Sequence, residues 1–212
     1  MTFGDPSNWD DFFQQDLVPA ILSYVFTTWE QMPKPGLSDL EDEISDKLFS
    51  ALVKATRRSD IPFLIRREDL EFDMDLAVET GRKDIVFYPS LREQDIYLCI
   101  EAKRLNAVIS GKCCSLASEY VKEGMQRFVD GKYARHVKHG AMLGYVLDGD
   151  IERAMNNIQS NILKRLSELR MNNNDGLLIS TIRPDDCRTK ETHHRRMNET
   201  SIFCIHHLFV AG

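Results

Sequence analysis

Two apolar runs, each bearing a carboxylate at one end, limit this chain more than any other feature. Gly81-Arg-Lys-Asp84 leads into Ile85-Val-Phe-Tyr88, and Asp95 opens Ile96-Tyr-Leu-Cys-Ile100, which closes on Glu101-Ala-Lys103-Arg104. Both runs read as strands, joined by a polar turn. Side chains alternate faces along a strand, so Glu101 and Lys103 share one face and Ala102 points to the other. If the two strands are neighbours, Asp84 falls near Glu101. Two carboxylates beside an amine make an oxygen-rich site suited to a hard divalent cation, and to hydrolysis at phosphate.

An acid-x-Lys triplet is a weak motif by itself, and the chain holds a second one in Asp130-Gly-Lys132. Context separates the two. Glu101 ends an apolar run and can project from a buried strand, whereas Asp130 sits beside a glycine after a helical segment. The first arrangement resembles the PD-(D/E)XK phosphodiesterase superfamily, the restriction-endonuclease-like nucleases, with Lys83 standing where the family name has proline.

The resemblance implies an α-β-β-β-α-β core and a Mg²⁺ cofactor, for which Mn²⁺ can substitute. Asp84, Glu101 and the Ala102 carbonyl are then the metal ligands, and Lys103 the partner of the attacking water. It also implies a further acid from the first core helix. Counting 100° per residue, Glu41 lies about 60° from the apolar centre of that helix at Ile44, and Glu43 about 100° away on the other flank. Glu41 is therefore the expected fourth site residue, able to serve a second metal roughly 4 Å from the first. Some members carry a glutamine and a tyrosine after the Glu-x-Lys strand. Gln126 and Tyr133 are present, but Gln126 projects away from the apolar face of its helix and reads as surface. Arg82, Arg104, Lys112 and Arg127, with Lys122, Lys132 and Arg135, are the basic residues available to a nucleic-acid backbone, and DNA is the expected substrate. Tyr120 shares a helix flank with Arg127.

The rest of the chain fits an α/β reading: a mixed central sheet flanked by helices. Phe12, Phe13, Leu17, Ile21, Leu22, Val25 and Phe26 keep a helical period over 9–30, and Met32-Pro-Lys-Pro-Gly36 breaks it, so residues 1–35 read as an N-terminal helical extension to a 36–212 nuclease-like domain. Its stripe must bury itself on this chain's own body or in an interface with a second copy or a partner protein. Ser38 or Asp39 can cap the next helix, which runs to Thr56 with Ile44, Leu48 and Leu52 on one face. Short strands are expected at 61–65, 70–78, 141–147, 177–182 and 202–209. Helices are expected at 115–129 and 151–170, and a polar basic loop at 183–200.

Net charge is −6, which looks wrong for a nucleic-acid enzyme until it is mapped. Residues 1–53 hold ten acids against Lys34 and Lys47 alone, leaving a slight basic excess elsewhere. Five cysteines are odd in number, and Cys99 and Cys204 lie in apolar strands, so all read as reduced. The pairs Cys113-Cys114, His193-His194 and His206-His207 lack the two-residue spacer of structural zinc sites. No apolar run is long enough to cross a bilayer, and the start lacks a secretory pattern, so a cytoplasmic location is expected. Two other readings stay open: a catalytically inactive nuclease-fold module that binds nucleic acid or a protein, and a structural subunit working through its acidic start.

Overall fold

The computed structural model describes residues 17–57, 62–73, 78–89, 97–134, 137–172, 174–196 and 201–212. Phe12, Phe13, Asp95, Ile96 and Arg135 lie outside them.

Helix α1 (Val18–Gln31) starts at a proline, which suits a first turn that needs no N–H donor, and stops before Pro33. Its buried side chains, Val18, Ile21, Leu22, Val25, Phe26 and Trp29, follow the helical period. They enter the same core as the sheet residues Tyr145, Leu208 and Val210, and Leu147 just beyond its strand. Trp29 stacks on Tyr145 at 5.2 Å and donates from Nε1 to the carbonyl of Ala211 at 2.8 Å. For residues 17–31 the apolar stripe is therefore covered by this chain's own body. Helix α2 (Glu41–Thr56) buries Ile44, Ser45, Leu48 and Leu52. Glu41, Asp42 and Glu43 occupy its first turn, where the helix dipole favours acids. Neither Ser38 nor Asp39 caps it. Leu40 holds the N-cap position without a side-chain bond, and the Asp39 carboxylate pairs with Lys47 at 3.3 Å.

The strands are β1 (Phe63–Asp73), β2 (Val78–Pro89), β3 (Leu98–Leu105), β6 (His139–Val146), β7 (Leu178–Ile179), β8 (Thr189–Arg195) and β9 (Ile202–Ala211), in the sheet order β1-β2-β3-β6-β9-β8-β7. A small hairpin, β4 (Ala107–Ile109) with β5 (Lys112–Cys114), stands apart. β1, β2 and β3 are antiparallel, whereas β6 lies parallel to both β3 and β9, so the sheet is mixed. Helix α3 crosses from β3 to β6 in three pieces, Ala117–Glu119, a π-helical Tyr120–Met125, and Gln126–Val129, and α4 (Ile151–Leu163) follows β6.

Several expected boundaries move. The two short strands foreseen at 61–65 and 70–78 are one long strand, and β2 begins at Val78, so Gly81-Arg-Lys83 lies within it rather than ahead of it. The last helix ends at Leu163, short of Leu166. The loop expected at 183–200 contains β8, whose inward positions Thr189, Glu191, Thr192 and His194 are polar yet buried. Hydrophobic alternation, the signal for a strand, is missing there because hydrogen bonds within the sheet take the place of apolar contacts. Thr192 bonds His194 and His207, and Glu191 accepts from Thr181. No helix among the described residues is long and apolar enough to cross a membrane.

One core layer lies between the sheet and helices α1 and α2, and includes Ile85, Phe87, Ile100, Ala102 and Leu143. The other lies under α3 and α4, and includes Val86, Cys99, Leu105, Met142 and Phe209. Glu101 and Lys103 have the parity of Cys99 and Leu105 and so belong to the α3 side, whereas Asp84 meets Arg67 of β1, which also pairs with Asp46 of α2.

Candidate functional site

β2 and β3 pair over Ile85–Ile100, Val86–Cys99 and Phe87–Leu98, and then part. The candidate residues sit at that fork. Asp84 stands opposite Glu101, and its Oδ2 accepts from the Ala102 N–H at 2.8 Å, a donor that the departing β2 backbone no longer engages. Lys103 Nζ lies 3.1 Å from Glu101 Oε1, 2.7 Å from Glu41 Oε1 and 3.0 Å from the Ala102 carbonyl. Glu41 reaches this point from the first turn of α2, and its Oε2 accepts from the Arg104 N–H at 2.9 Å. Glu43 is exposed. Asp84, Glu101, Lys103 and Glu41, read from sequence as one site, thus converge from three elements. Asp130, in the second acid-x-Lys triplet, lies on the turn that ends α3.

Three cations oppose the three carboxylates. Besides Lys103, Arg127 donates to Glu101 Oε1 at 2.9 Å, and Arg67 lies 3.5 Å from Asp84 Oδ1 and donates to the Asp84 carbonyl. Burial raises the Asp84 carboxyl above its ordinary value despite the Ala102 hydrogen bond and the nearby cations. Burial, then the Asp84 charge, pushes Glu101 up to about 7 against the pull of Lys103 and Arg127. For Lys103 burial acts to lower the value, but Glu101 and Glu41 together outweigh it, so the amine is held protonated.

Glu101 Oε2 is buried with no hydrogen-bond partner among the described residues. An ionised carboxylate oxygen in that state is costly, and two buried carboxyls with raised values gain from any added positive charge. The donor set of three carboxylates and the Ala102 carbonyl is all oxygen, which suits Mg²⁺ or Mn²⁺ rather than a thiophilic metal.

The expected basic residues separate into two groups. Arg82 is exposed, 3.6 Å from Glu68, and Lys112 is exposed on the small hairpin. Arg104 donates to the Asp39 carbonyl at 2.9 Å, bracing the chain just before α2. Arg127 bridges Glu101 and the Tyr133 hydroxyl, which itself donates to the Arg82 carbonyl. Tyr120 is fully buried and bonds His207, so it does not face the fork. Gln126 bonds Asp130 and the Glu168 carbonyl. Lys83 is buried with its amine 2.8 Å from Glu71 and 4.6 Å from the Tyr97 ring centroid, pairing within the sheet and not with Asp84.

Two participants are invisible to sequence reasoning. Arg67 has no motif around it, since a strand arginine is ordinarily a surface residue. Arg196 is buried and donates to the carbonyls of Phe128, Tyr133, Ala134 and Val137, holding the turn that carries Tyr133. Only the folded chain shows that four carbonyls converge there. No protein-family model, curated protein or solved structure matches the chain.

Proposed function

We propose that this protein is a metal-dependent phosphodiesterase of the PD-(D/E)XK type, a nuclease acting on DNA. One observation carries the reading: Asp84, Glu101, Lys103 and Glu41 meet at one fork in the sheet, where a buried Glu101 oxygen has no hydrogen-bond partner. The run α2, β1, β2, β3, α3, β6, with an antiparallel meander and then a parallel partner for β3, supports a restriction-endonuclease-like core.

Asp84, Glu101, Glu41 and the Ala102 carbonyl would hold Mg²⁺, or Mn²⁺ in its place, which when bound lowers the pKa of a water and offsets negative charge at phosphorus. Lys103 stays protonated and presents N–H donors to the attacking water and to phosphate oxygens. Glu41 and Glu101 fix the lysine's direction. Arg127 holds Glu101 and Arg67 holds Asp84, so neither carboxylate has to reorganise when phosphate arrives. Arg82 and Lys112 are exposed cations available to the nucleic-acid backbone.

A rival reading, a nuclease-fold module without catalysis, has its own support. Lys103, Arg67 and Arg127 already neutralise the three carboxylates without a metal ion. Incubation with plasmid, single-stranded DNA and RNA in Mg²⁺, Mn²⁺ or chelator separates the two readings. Metal-dependent cleavage that disappears in Glu101→Gln is the expected result. Cleavage that survives in that variant defeats the proposal, and the absence of any cleavage or metal affinity favours the binding module.

A further inference from the structure

The other face of the sheet carries a second polar cluster, unrelated to the fork. In the register of β6, β9 and β8, His139 pairs with Cys204 and Cys204 with His193, while His206 pairs with Glu191 in the next row on the same face. Neighbouring strands run about 4.8 Å apart, so five side chains of metal-ligating type fall on two adjacent rows. His139 Nδ1 and His206 Nε2 are 2.9 Å apart, and Cys204 Sγ lies 3.9 Å from His206 Nδ1. Glu191 Oε1 is 3.0 Å from His193 Nε2, and Glu191 Oε2 is anchored by the Thr181 N–H and hydroxyl. The ligating atoms of His139, Cys204 and His206 lie within 4.8 Å of one another, as do those of Glu191, His193 and Cys204.

We propose that Cys204, His206 and His139, with the Glu191–His193 pair supplying the fourth ligand, form a Zn²⁺ site that ties β6, β9 and β8 together. Tetrahedral zinc with one thiolate and imidazole ligands sets its donors about 3.3–3.8 Å apart, so the present separations need only side-chain adjustment. A thiol with imidazoles selects a borderline metal such as zinc, in contrast to the all-oxygen fork. Glu191 would orient His193 as a carboxylate commonly orients a metal-bound imidazole.

The contrast with the opposite face of the same strands is informative. There His194 and His207 are closed off by hydrogen bonds, both to the Thr192 hydroxyl, His207 also to Tyr120 and His194 to the Leu169 carbonyl. The His139–Cys204–His206 side instead opens on a cleft of ≈ 600 Å³, bordered also by Pro19, Thr181 and Ile182, through which an ion can enter. Each histidine doublet thus sends one ring to each face. That alternation, and not the spacing of a linear motif, assembles the site.

The test uses the full chain, purified without a polyhistidine tag. Metal analysis is expected to find close to one Zn²⁺ per chain. After removal of that metal, Co²⁺ titration is expected to give the visible absorption of a tetrahedral site, with thiolate charge transfer in the near ultraviolet. Cys204→Ser should abolish the charge-transfer band and weaken binding at least tenfold, with circular dichroism checking the fold. If Cys204→Ser fails to fold, His139→Gln takes its place, with the same loss of affinity expected. Cys187→Ser should leave the spectrum unchanged, because Cys187 is an exposed thiol outside the cluster. A wild-type protein that takes up no Zn²⁺ or Co²⁺, or a Cys204→Ser or His139→Gln variant that binds as before, overturns the proposal. The nuclease reading survives either result.

Discussion

Glu101 is the residue on which the candidate chemistry turns. Asp84→Asn and Glu101→Gln are expected to bring cleavage to background and to remove Mn²⁺ binding in calorimetry. Lys103→Met is expected to lose about 10²–10⁴-fold in rate while still binding metal, because the amine acts on water and phosphate and not on the cation. Glu41→Gln should cut activity, and Glu43→Gln should leave it unchanged, since only Glu41 touches Lys103. The raised Glu101 value has a thermodynamic consequence with a definite sign. In chelator the folded protein binds a proton at Glu101 up to about pH 7, whereas the unfolded chain releases it near the ordinary 4.5. The native state is then the one holding more protons, so stability falls as pH rises through that window, by up to about 3 kcal/mol. Thermal unfolding in chelator at pH 5 and pH 8 measures this, and Glu101→Gln should flatten the dependence.

Among the elements, α1 and α3 carry separate expectations. Trp29 is buried, stacked on Tyr145 and bonded to the last residues of β9, so Trp29→Ala should cost about 3–5 kcal/mol by denaturant melting. Removal of residues 1–34 should give an aggregated or unfolded protein in sedimentation. A well-folded truncation would show that the α1 stripe is dispensable to the core. Helix α3 lies close to the sheet at Gly124, where an added Cβ would collide with the Met142 methyl and come within 3.7 Å of Lys103 Cγ. The methionine tail can yield, so Gly124→Ala should cost about 1 kcal/mol. Gly124→Val should cost more and also lower cleavage, because a lifted α3 draws Arg127 from Glu101. Comparing the two variants by melting temperature and turnover separates packing from positioning.

Over the whole molecule, part of the charge segregated along the chain is paired within the described residues. Acids of the first quarter pair with cations of the remainder: Glu30 with Arg188 at 3.0 Å, Glu41 with Lys103, and Asp46 with Arg67 at 3.0 Å. Glu30, Glu41 and Asp46 are therefore counter-charge for the rest of the fold. What stays exposed among the expected contacts in the described residues is small: Arg82, Lys112, Lys122 and Lys132. DNA affinity of the inactive Glu101→Gln variant should then fall with salt at a log–log slope of no more than about −4, and Arg82→Ala with Lys112→Ala should reduce it by about 2.

Much of this molecule is set by local pattern. Helical periodicity marked α1, α2 and α4, apolar runs marked β2, β3, β6 and β9, and alternation put Glu101 and Lys103 on one face. The helical wheel also picked Glu41 over Glu43, because the phase of a helix is determined by its own buried residues. The strand β8 was not legible, since its inward positions are polar and their partners lie on other strands. The same limit hid Arg67 and Arg196, and made Arg127 look like a surface cation when it holds Glu101. His139, Cys204, His206, Glu191 and His193 showed no motif spacing because strand register gathers them from segments up to 67 residues apart. Periodicity is a property of the chain and can be read from it. Which buried charge or ligand meets which is decided by register and by the crossing of elements, and these exist only once the sheet has closed.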